Sequence, residues 1–203
     1  METDKPVLYT IGHSVHPIES FIKILQLNRI EAVADVRSSP YSKFTPQFNR
    51  ESLKESLKRA GIHYVFLGDE LGARRTEPEC YEENKVIYRK VANLPAFQRG
   101  VSRLKEGAVK MRVAIMCAEK DPLTCHRTVL VAHFSRRFFS NTLHILEDGN
   151  IENREEADYR LLREYKLDKE DFFSSYGERL ELAYAKRAEK IAYEEQIEHA
   201  AHG

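Results

Sequence analysis

Residues 112–127 read RVAIMCAEKDPLTCHR, and the join between the two halves of this stretch decides the class of fold. RVAIMCA (112–118) is a nearly continuous apolar run, the pattern of a strand covered on both faces. Directly after it, Asp121 and Pro122 form an N-cap and first-turn pair. A helix is therefore expected to start at Asp121 and to carry Cys125, His126 and Arg127 in its first two turns. A strand buried on both faces that feeds a helix is the repeating unit of a parallel α/β sheet.

The same alternation extends outward on both sides. VLYTIG (7–12), EAVADVR (31–37), HYVFLG (63–68) and TLHILED (142–148) read as further strands. Between them PIESFIKILQLN places Ile18, Phe21, Ile22 and Leu25 at helical spacing, and NRESLKESLKRAG ends in a glycine suited to a helix stop. The expected fold is α/β: an open, mainly parallel five-stranded sheet flanked by helices, Rossmann-like, over residues 1–150. Right-handed crossovers suggest the order 3-2-1-4-5, with strands 1 and 4 as central neighbours where the winding reverses. Residues 151–203 read as a helical C-terminal extension, first EADYRLLREYK and then a segment from about Asp168 to the end. Its stripe of Leu180, Ala183, Tyr184, Ala188, Ile191 and Ala192 packs either on the domain or on a second copy of the chain, so a homo-oligomer through this helix stays open.

Composition narrows the class of function. Lys+Arg and Asp+Glu are both 32, so overall charge calls for neither a nucleic-acid coat nor an anionic membrane, and any basic site must be local. No apolar run approaches the ~20 residues that cross a bilayer, and the N-terminus lacks the blocks of a signal peptide. A cytoplasmic protein without a membrane partner is expected. Three cysteines, Cys80, Cys117 and Cys125, are too odd a set for a disulfide framework.

In open α/β sheets ligands bind beyond the carboxyl ends of the strands. There the first strand delivers His13 and Ser14, the second Asp35 and Arg37, and the fourth Cys117 and Glu119. Cys125, His126 and Arg127 at a helix start would favour an anion and depress a nearby thiol. Glu119 or Asp35 fits a general base, His13 a proton shuttle, and Arg37 and Arg127 a phosphate clamp. The loop after Arg37 adds Tyr41, Phe44 and Phe48 for stacking on a flat ligand and Lys43 for its phosphate. Beyond the third strand, GDELGARRTEPEC offers Glu70, Arg74 and Arg75.

Each of these has a plainer reading: Cys117 as core filling, His13 as a turn cap, Asp35 with Arg37 as a structural ion pair, Phe44 and Phe48 as anchors of the loop. Metal binding is not expected, because C-x7-C-H matches no familiar zinc spacing and neighbouring residues on a helix, Cys125 and His126, point apart. No cofactor is expected either.

The runs YTIGHS, ADVRSSPYS, HYVFLGDELG and CAEKDPLTCHR, in this order and spacing, resemble the family catalogued as domain of unknown function 488, across roughly residues 7–150. The resemblance implies a fold and a site at Gly12, His13, Ser14, Asp35, Arg37, Pro40, Leu67, Gly68, Cys117, Glu119, Cys125, His126 and Arg127, but no activity. Where the family tends to LGG, this chain has Leu71, Gly72 and Ala73. The residues point to an enzyme, a hydrolase or transferase, that acts on a phosphate-bearing substrate such as a nucleotide or nucleic acid. Cysteine-based sulfur-transfer or thiol chemistry is one alternative, and a non-catalytic nucleic-acid-binding module is another.

Overall fold

In the computed structural model, which describes residues 5–170 and 172–194, the strand runs condense into one sheet. Its members are β1 (Val7–Gly12), β2 (Ala32–Asp35), β3 (His63–Phe66), β6 (Val113–Cys117), β7 (Asn141–Ile145) and β8 (Ile151–Asn153). A separate hairpin, β4 (Tyr81–Glu82) and β5 (Lys85–Val86), lies outside it. The sheet order is β3-β2-β6-β1-β7-β8. All its pairings are parallel except the last, where β8 runs antiparallel along β7. The sheet thus has six strands rather than five and continues past residue 150. Strands of residues 7–12 and 113–117 are neighbours as expected, but the latter is inserted between the first and second strands, giving 3-2-4-1-5 in place of 3-2-1-4-5.

Alternate residues of each strand feed two cores. Tyr9, Ile11, Val33, Ala114 and Met116 meet α1 (Ile18–Leu27) and α2 (Arg50–Arg59) through Phe21, Leu25, Leu53 and Leu57. Leu8, Ala32, Ala34 and Ile115 face the other way. That second face is covered by α5 (Pro95–Lys110), with α3 (Gly68–Leu71) and α4 (Tyr88–Asn93) beside it. It also takes a buried π-helical segment, Arg127–Ala132, that runs into α6 (His133–Ser135). The chain moves across the sheet one way from β1 to β3 and back the other way from β6 to β7, so right-handed crossovers require the two sets of helices on opposite faces. The adjacent strands whose outgoing connections diverge are therefore β2 and β6, and the crevice opens beyond their carboxyl ends.

The C-terminal part packs on the second core through Ala157, Leu161 and Leu162 of α7 (Arg154–Glu164) and Leu180, Ala183 and Tyr184 of α8 (Tyr176–Ile191). The apolar stripe of α8 is thus used within the chain, with Ala188, Ile191 and Ala192 lying against the same core. Both helices start on capping boxes, Asn153 with Glu156 and Ser175 with Glu178. The second box starts the helix at Tyr176, eight residues beyond the expected start at Asp168. The end of the helical segment read from sequence, residues 195–203, lies outside the described residues.

Two histidines are buried in the polar seams of this sheet. His144 on β7 pairs through Nδ1 with Thr10 Oγ1 of β1 at 2.8 Å. Burial, with the nearby Arg127, lowers its pKa to about 3. His13 is lowered to about 4 by burial and by Arg37. Both are neutral when folded and take up a proton on unfolding below the ordinary pKa of 6.5. Stability from this source is complete above 6.5 and is lost as pH falls towards 4. Urea unfolding at pH 5 should therefore show a loss of about 2 kcal/mol per histidine relative to pH 7.5. Equal midpoints at the two pH values would show that neither ring stays neutral in the fold.

Candidate active site

At the carboxyl ends of β2 and β6 lies a cavity of about 330 Å3 lined by Arg37, Ser38, Ser39, Tyr41, Ala73, Arg74, Tyr88, Cys117, Ala118, Glu119, Thr124, His126, Ile191 and Tyr193. Its floor is made by the stretch after β6. Asp121 does cap a turn, its Oδ1 accepting from Leu123 N at 2.9 Å, but the turn is a single 3-10 winding over Pro122–Thr124. The chain then opens to an extended conformation at Cys125 (φ −130°, ψ 141°), and helical winding resumes only after His126. Cys125 is therefore not in the first turn of a helix. The extended residue also removes the objection to convergence: Cys125 and His126 do not diverge as helical neighbours would. One ligand-type atom from each of Cys117, Glu119, Cys125 and His126 lies within 4.8 Å of all the others.

Hydrogen bonds give this cluster its internal order. His126 Nε2 donates to Val36 O at 2.9 Å, which turns Nδ1 towards Cys117 Sγ at 3.5 Å. Cys125 Sγ and Glu119 Oε2 are 2.9 Å apart and share one proton. The groups titrate together. Burial pushes the Cys117 thiol well up, with Cys125 adding to the effect. Burial acts on Cys125 in the same sense, but the Cys117 thiol, Arg127 and His126 outweigh it and hold Cys125 well below the ordinary thiol range. Glu119 is raised by the desolvation of its carboxyl and by the charge on Cys125. His126 is raised despite burial, because Cys125 faces it.

The loop that carries Glu119 is fixed from below. Arg127, 0% exposed, donates from Nη1 to Glu119 O at 2.6 Å and from Nη2 to Lys120 O at 3.1 Å. The arginine expected to hold a substrate phosphate is thus turned into the protein, where it clamps backbone. Gly12 provides the gap in which the Glu119 carbonyl sits, since a Cβ there would lie 1.9 Å from that oxygen. β1 then prolongs its pairing as His13 N donates to Cys117 O and Ser14 N to Ala118 O, both at 2.9 Å. Ser14, at φ 47°, gives backbone to the site and does not line the cavity.

Asp35 and Arg37 follow the plainer reading. Arg37 grips Asp35 with Nε to Oδ1 at 2.9 Å and Nη2 to Oδ2 at 2.7 Å, while Tyr64 donates to the same carboxylate at 2.8 Å. Asp35 is fully buried with both oxygens engaged, so it is a structural partner and not a base open to a ligand. Arg37 also donates to Phe48 O at 2.8 Å and, through Nη1, to His13 Nε2 at 3.1 Å. Four of its five N–H groups are taken. His13 uses Nδ1 on Ser14 O and stacks on Phe48 at 4.2 Å. It is a packed, neutral ring that keeps β1 beside the Asp35–Arg37 pair.

Of the loop residues, Tyr41 reaches the cavity and is tied to Glu51 at 2.9 Å. Lys43 is exposed and is not among the lining residues, so the expected phosphate contact is absent from the cavity wall. Phe48 anchors the loop, whereas Phe44 is 97% exposed. Glu70 pairs with Arg103 and Arg75 with Glu77, leaving Arg74 as the member of that loop on the cavity wall, over the Tyr193 ring at 4.9 Å. Tyr88, Ile191 and Tyr193 also line the site; the sequence offers Ile191 only as part of the packing stripe, and Tyr88 and Tyr193 come from segments with no polar motif to single them out.

A doubly wound parallel sheet with a Cys–Glu–Cys–His cluster beneath a polar cavity is what fold and site define. The profile of the family described as "Domain of unknown function DUF488" matches residues 17–134, more than half of the chain, and the chain belongs to that family. The match takes in every cluster residue, while the YTIGHS motif at residues 9–14 lies ahead of it. No curated protein and no solved structure matches the chain.

The Arg127 clamp predicts where substitution will hurt. Arg127→Met removes the donors of two backbone carbonyls and should cost about 2 to 5 kcal/mol in urea unfolding, since a hydrogen bond from a charged donor contributes ~1.5 to 3 and water can replace part of the loss at these exposed residues. Gly12→Ala displaces one of the same carbonyls, so the double variant should lose less than the sum of the two. A loss below about 1 kcal/mol for Arg127→Met would show that the carbonyls find other donors.

Proposed function

We propose that this chain is a hydrolase or transferase that acts on a phosphate-bearing, nucleotide-like substrate, with Glu119 as the proton acceptor. The observation that carries the reading is the position of Glu119: it lines the cavity, its carboxylate meets Cys125, and its backbone is pinned by Arg127. A base held on both sides in this way needs little reorganisation when a water or hydroxyl approaches. The cavity is at the low end of the ~300–1,000 Å3 range for small-molecule sites. Tyr41, Tyr88 and Tyr193 border the cavity, with Arg74 over the Tyr193 ring, and Ser38 and Ser39 add hydroxyl-bearing residues to the wall. The cation most open to an anionic group is Arg74, since Arg127 is buried and Arg37, although on the cavity wall, has four of its five N–H groups taken inside the protein.

One contact favours a second reading, thiol chemistry: Cys117 lines the cavity with His126 Nδ1 3.5 Å from its sulfur. The two readings differ in what forms on the protein, because a thiol mechanism leaves a covalent adduct on Cys117 during turnover and a carboxylate mechanism leaves none.

Nucleoside mono- and diphosphates, with an aryl phosphodiester as a chromogenic probe, form the test panel. With the member that turns over, Glu119→Gln should lower kcat by about 10^2 to 10^4 with binding retained. Arg74→Ala should weaken calorimetric binding by about 1.5 to 3 kcal/mol. Full activity in Glu119→Gln, together with a trapped Cys117 adduct in the mass spectrum, would replace the carboxylate reading with the thiol one.

A further inference from the structure

We infer that Cys117, Cys125 and His126 form a binding site for a zinc-class divalent cation at the floor of the cavity, with Glu119 at the fourth position, the one on the cavity side. The inference deepens the reading given above: with Glu119 on the cation all four positions are filled, and Glu119 can act as the base only by leaving the fourth position to a water, which would then lie beside it.

The donor set and its distances argue for the site. A tetrahedral zinc with sulfur at ~2.3 Å and nitrogen at ~2.05 Å sets those two atoms about 3.6 Å apart, and Cys117 Sγ to His126 Nδ1 is 3.5 Å. The whole set falls within 4.8 Å, so the most distant pair needs to close by about 1 Å to reach tetrahedral spacing, a side-chain adjustment. The Cys125–Glu119 pair, at 2.9 Å, needs to open slightly.

The orientation of His126 is the second observation. A metal-ligating histidine almost always donates its other ring N–H to a carbonyl or carboxylate, which fixes the tautomer and aims the free nitrogen. Here Nε2 donates to Val36 O at 2.9 Å and Nδ1 faces the sulfurs. That carbonyl belongs to the residue just after β2, so the sheet itself sets the ring.

The chain geometry also explains the unfamiliar spacing. Cys117 ends a strand, Cys125 is extended and His126 sits at a helix start, so ligands eight and nine residues apart meet across one 3-10 turn. Two thiolates select against magnesium and calcium, which take oxygen donors, and favour zinc and its tetrahedral analogue cobalt. Cys80 lies elsewhere in the second core and takes no part.

The test uses the full chain, stripped with a chelator and titrated with Co2+ under reducing conditions. The expected result is one equivalent bound, with an intense thiolate-to-cobalt charge-transfer band and the strong visible bands of a tetrahedral ion, all abolished by Zn2+. Cys117→Ser and Cys125→Ser should each lose much of the charge-transfer band, and His126→Gln should weaken binding at least tenfold. Cys80→Ser should bind as the unaltered chain does, and Glu119→Gln should keep the stoichiometry while changing the visible bands. Circular dichroism checks that each variant is folded. The unaltered chain decides even if a variant fails that check, because the intensity of its band counts the thiolates bound.

Failure of the chain to take up Co2+, or a band unaltered in folded Cys117→Ser, would overturn the inference. Loss of turnover in Glu119→Gln without uptake by the unaltered chain would remove the metal and leave the enzyme reading in place. Stoichiometric uptake with turnover unaffected by Glu119→Gln would do the reverse.

Discussion

The buried guanidinium of Arg127 is the constraint on which the rest of the site depends. A loop leaving a parallel strand has backbone carbonyls that no neighbouring strand satisfies, and burying one without a donor is costly. Arg127 supplies donors to two such carbonyls, at Glu119 and Lys120, from the first residue of the π-helical segment. The loop is thereby tied to the element that follows it, and the chain between must fold back as a compact turn. Asp121 and Pro122 provide that turn, and Arg160 reaches in from α7 to bond both oxygens of Asp121 at 2.8 and 3.0 Å. Gly12 is the complementary condition, because the carbonyl that Arg127 holds occupies space where any other residue on β1 would place a side chain.

A second buried network does the same work on the opposite wall. Asp35, Arg37 and His13 at the ends of β2 and β1 and Tyr64 within β3 satisfy one another, and an ion pair removed from water persists only when its remaining donors and acceptors are occupied. Phe48 closes this network by accepting from Arg37 through its carbonyl and stacking on His13 through its ring. The loop after β2 is therefore fixed at Phe48, while Tyr41, held by Glu51, borders the cavity. Gly68 meets the same wall: a Cβ there would lie 2.1 Å from Arg37 O. Both glycines thus mark close approaches between backbones at the carboxyl edge.

The strands were legible because a strand buried on both faces leaves a long apolar run, and residues 7–12 and 113–117 are such runs. Their order was not, because right-handed crossovers are equally satisfied by 3-2-1-4-5 and by 3-2-4-1-5; the choice depends on which strands pack edge to edge, and no local signal carries that. Asp121 was read correctly as a cap, but the length of what it caps was not, since a 3-10 turn and a helix begin with the same residues. That single difference moved Cys125 out of the helix and reversed the conclusion about convergence. Arg37 and Arg127 show a further limit. A sequence reveals a cation near a site but not whether the backbone has already claimed it. Arg74, one of two adjacent arginines in a loop, gave no sign that it rather than Arg75 would border the cavity.

The energetic cost of the cluster bears on what it is for. Two thiols, a carboxylate and an imidazole brought together next to a hydrophobic core lose hydration, and like-charged members repel in surroundings of low polarity. A core built only for stability would place small apolar residues at Cys117 and Cys125, because apolar replacements of similar size leave no polar group to satisfy. The chain instead pairs each member: Cys117 with His126, Cys125 with Glu119, His126 with Val36 O. Arg127 both pins the loop and brings positive charge near the sulfurs, so one residue offsets two costs. An arrangement that needs a buried arginine, a glycine gap and a strand-end carbonyl to hold four reactive groups within 4.8 Å is built around those groups. Burial of titratable groups of this kind is characteristic of sites where function, not packing, sets the residue choice.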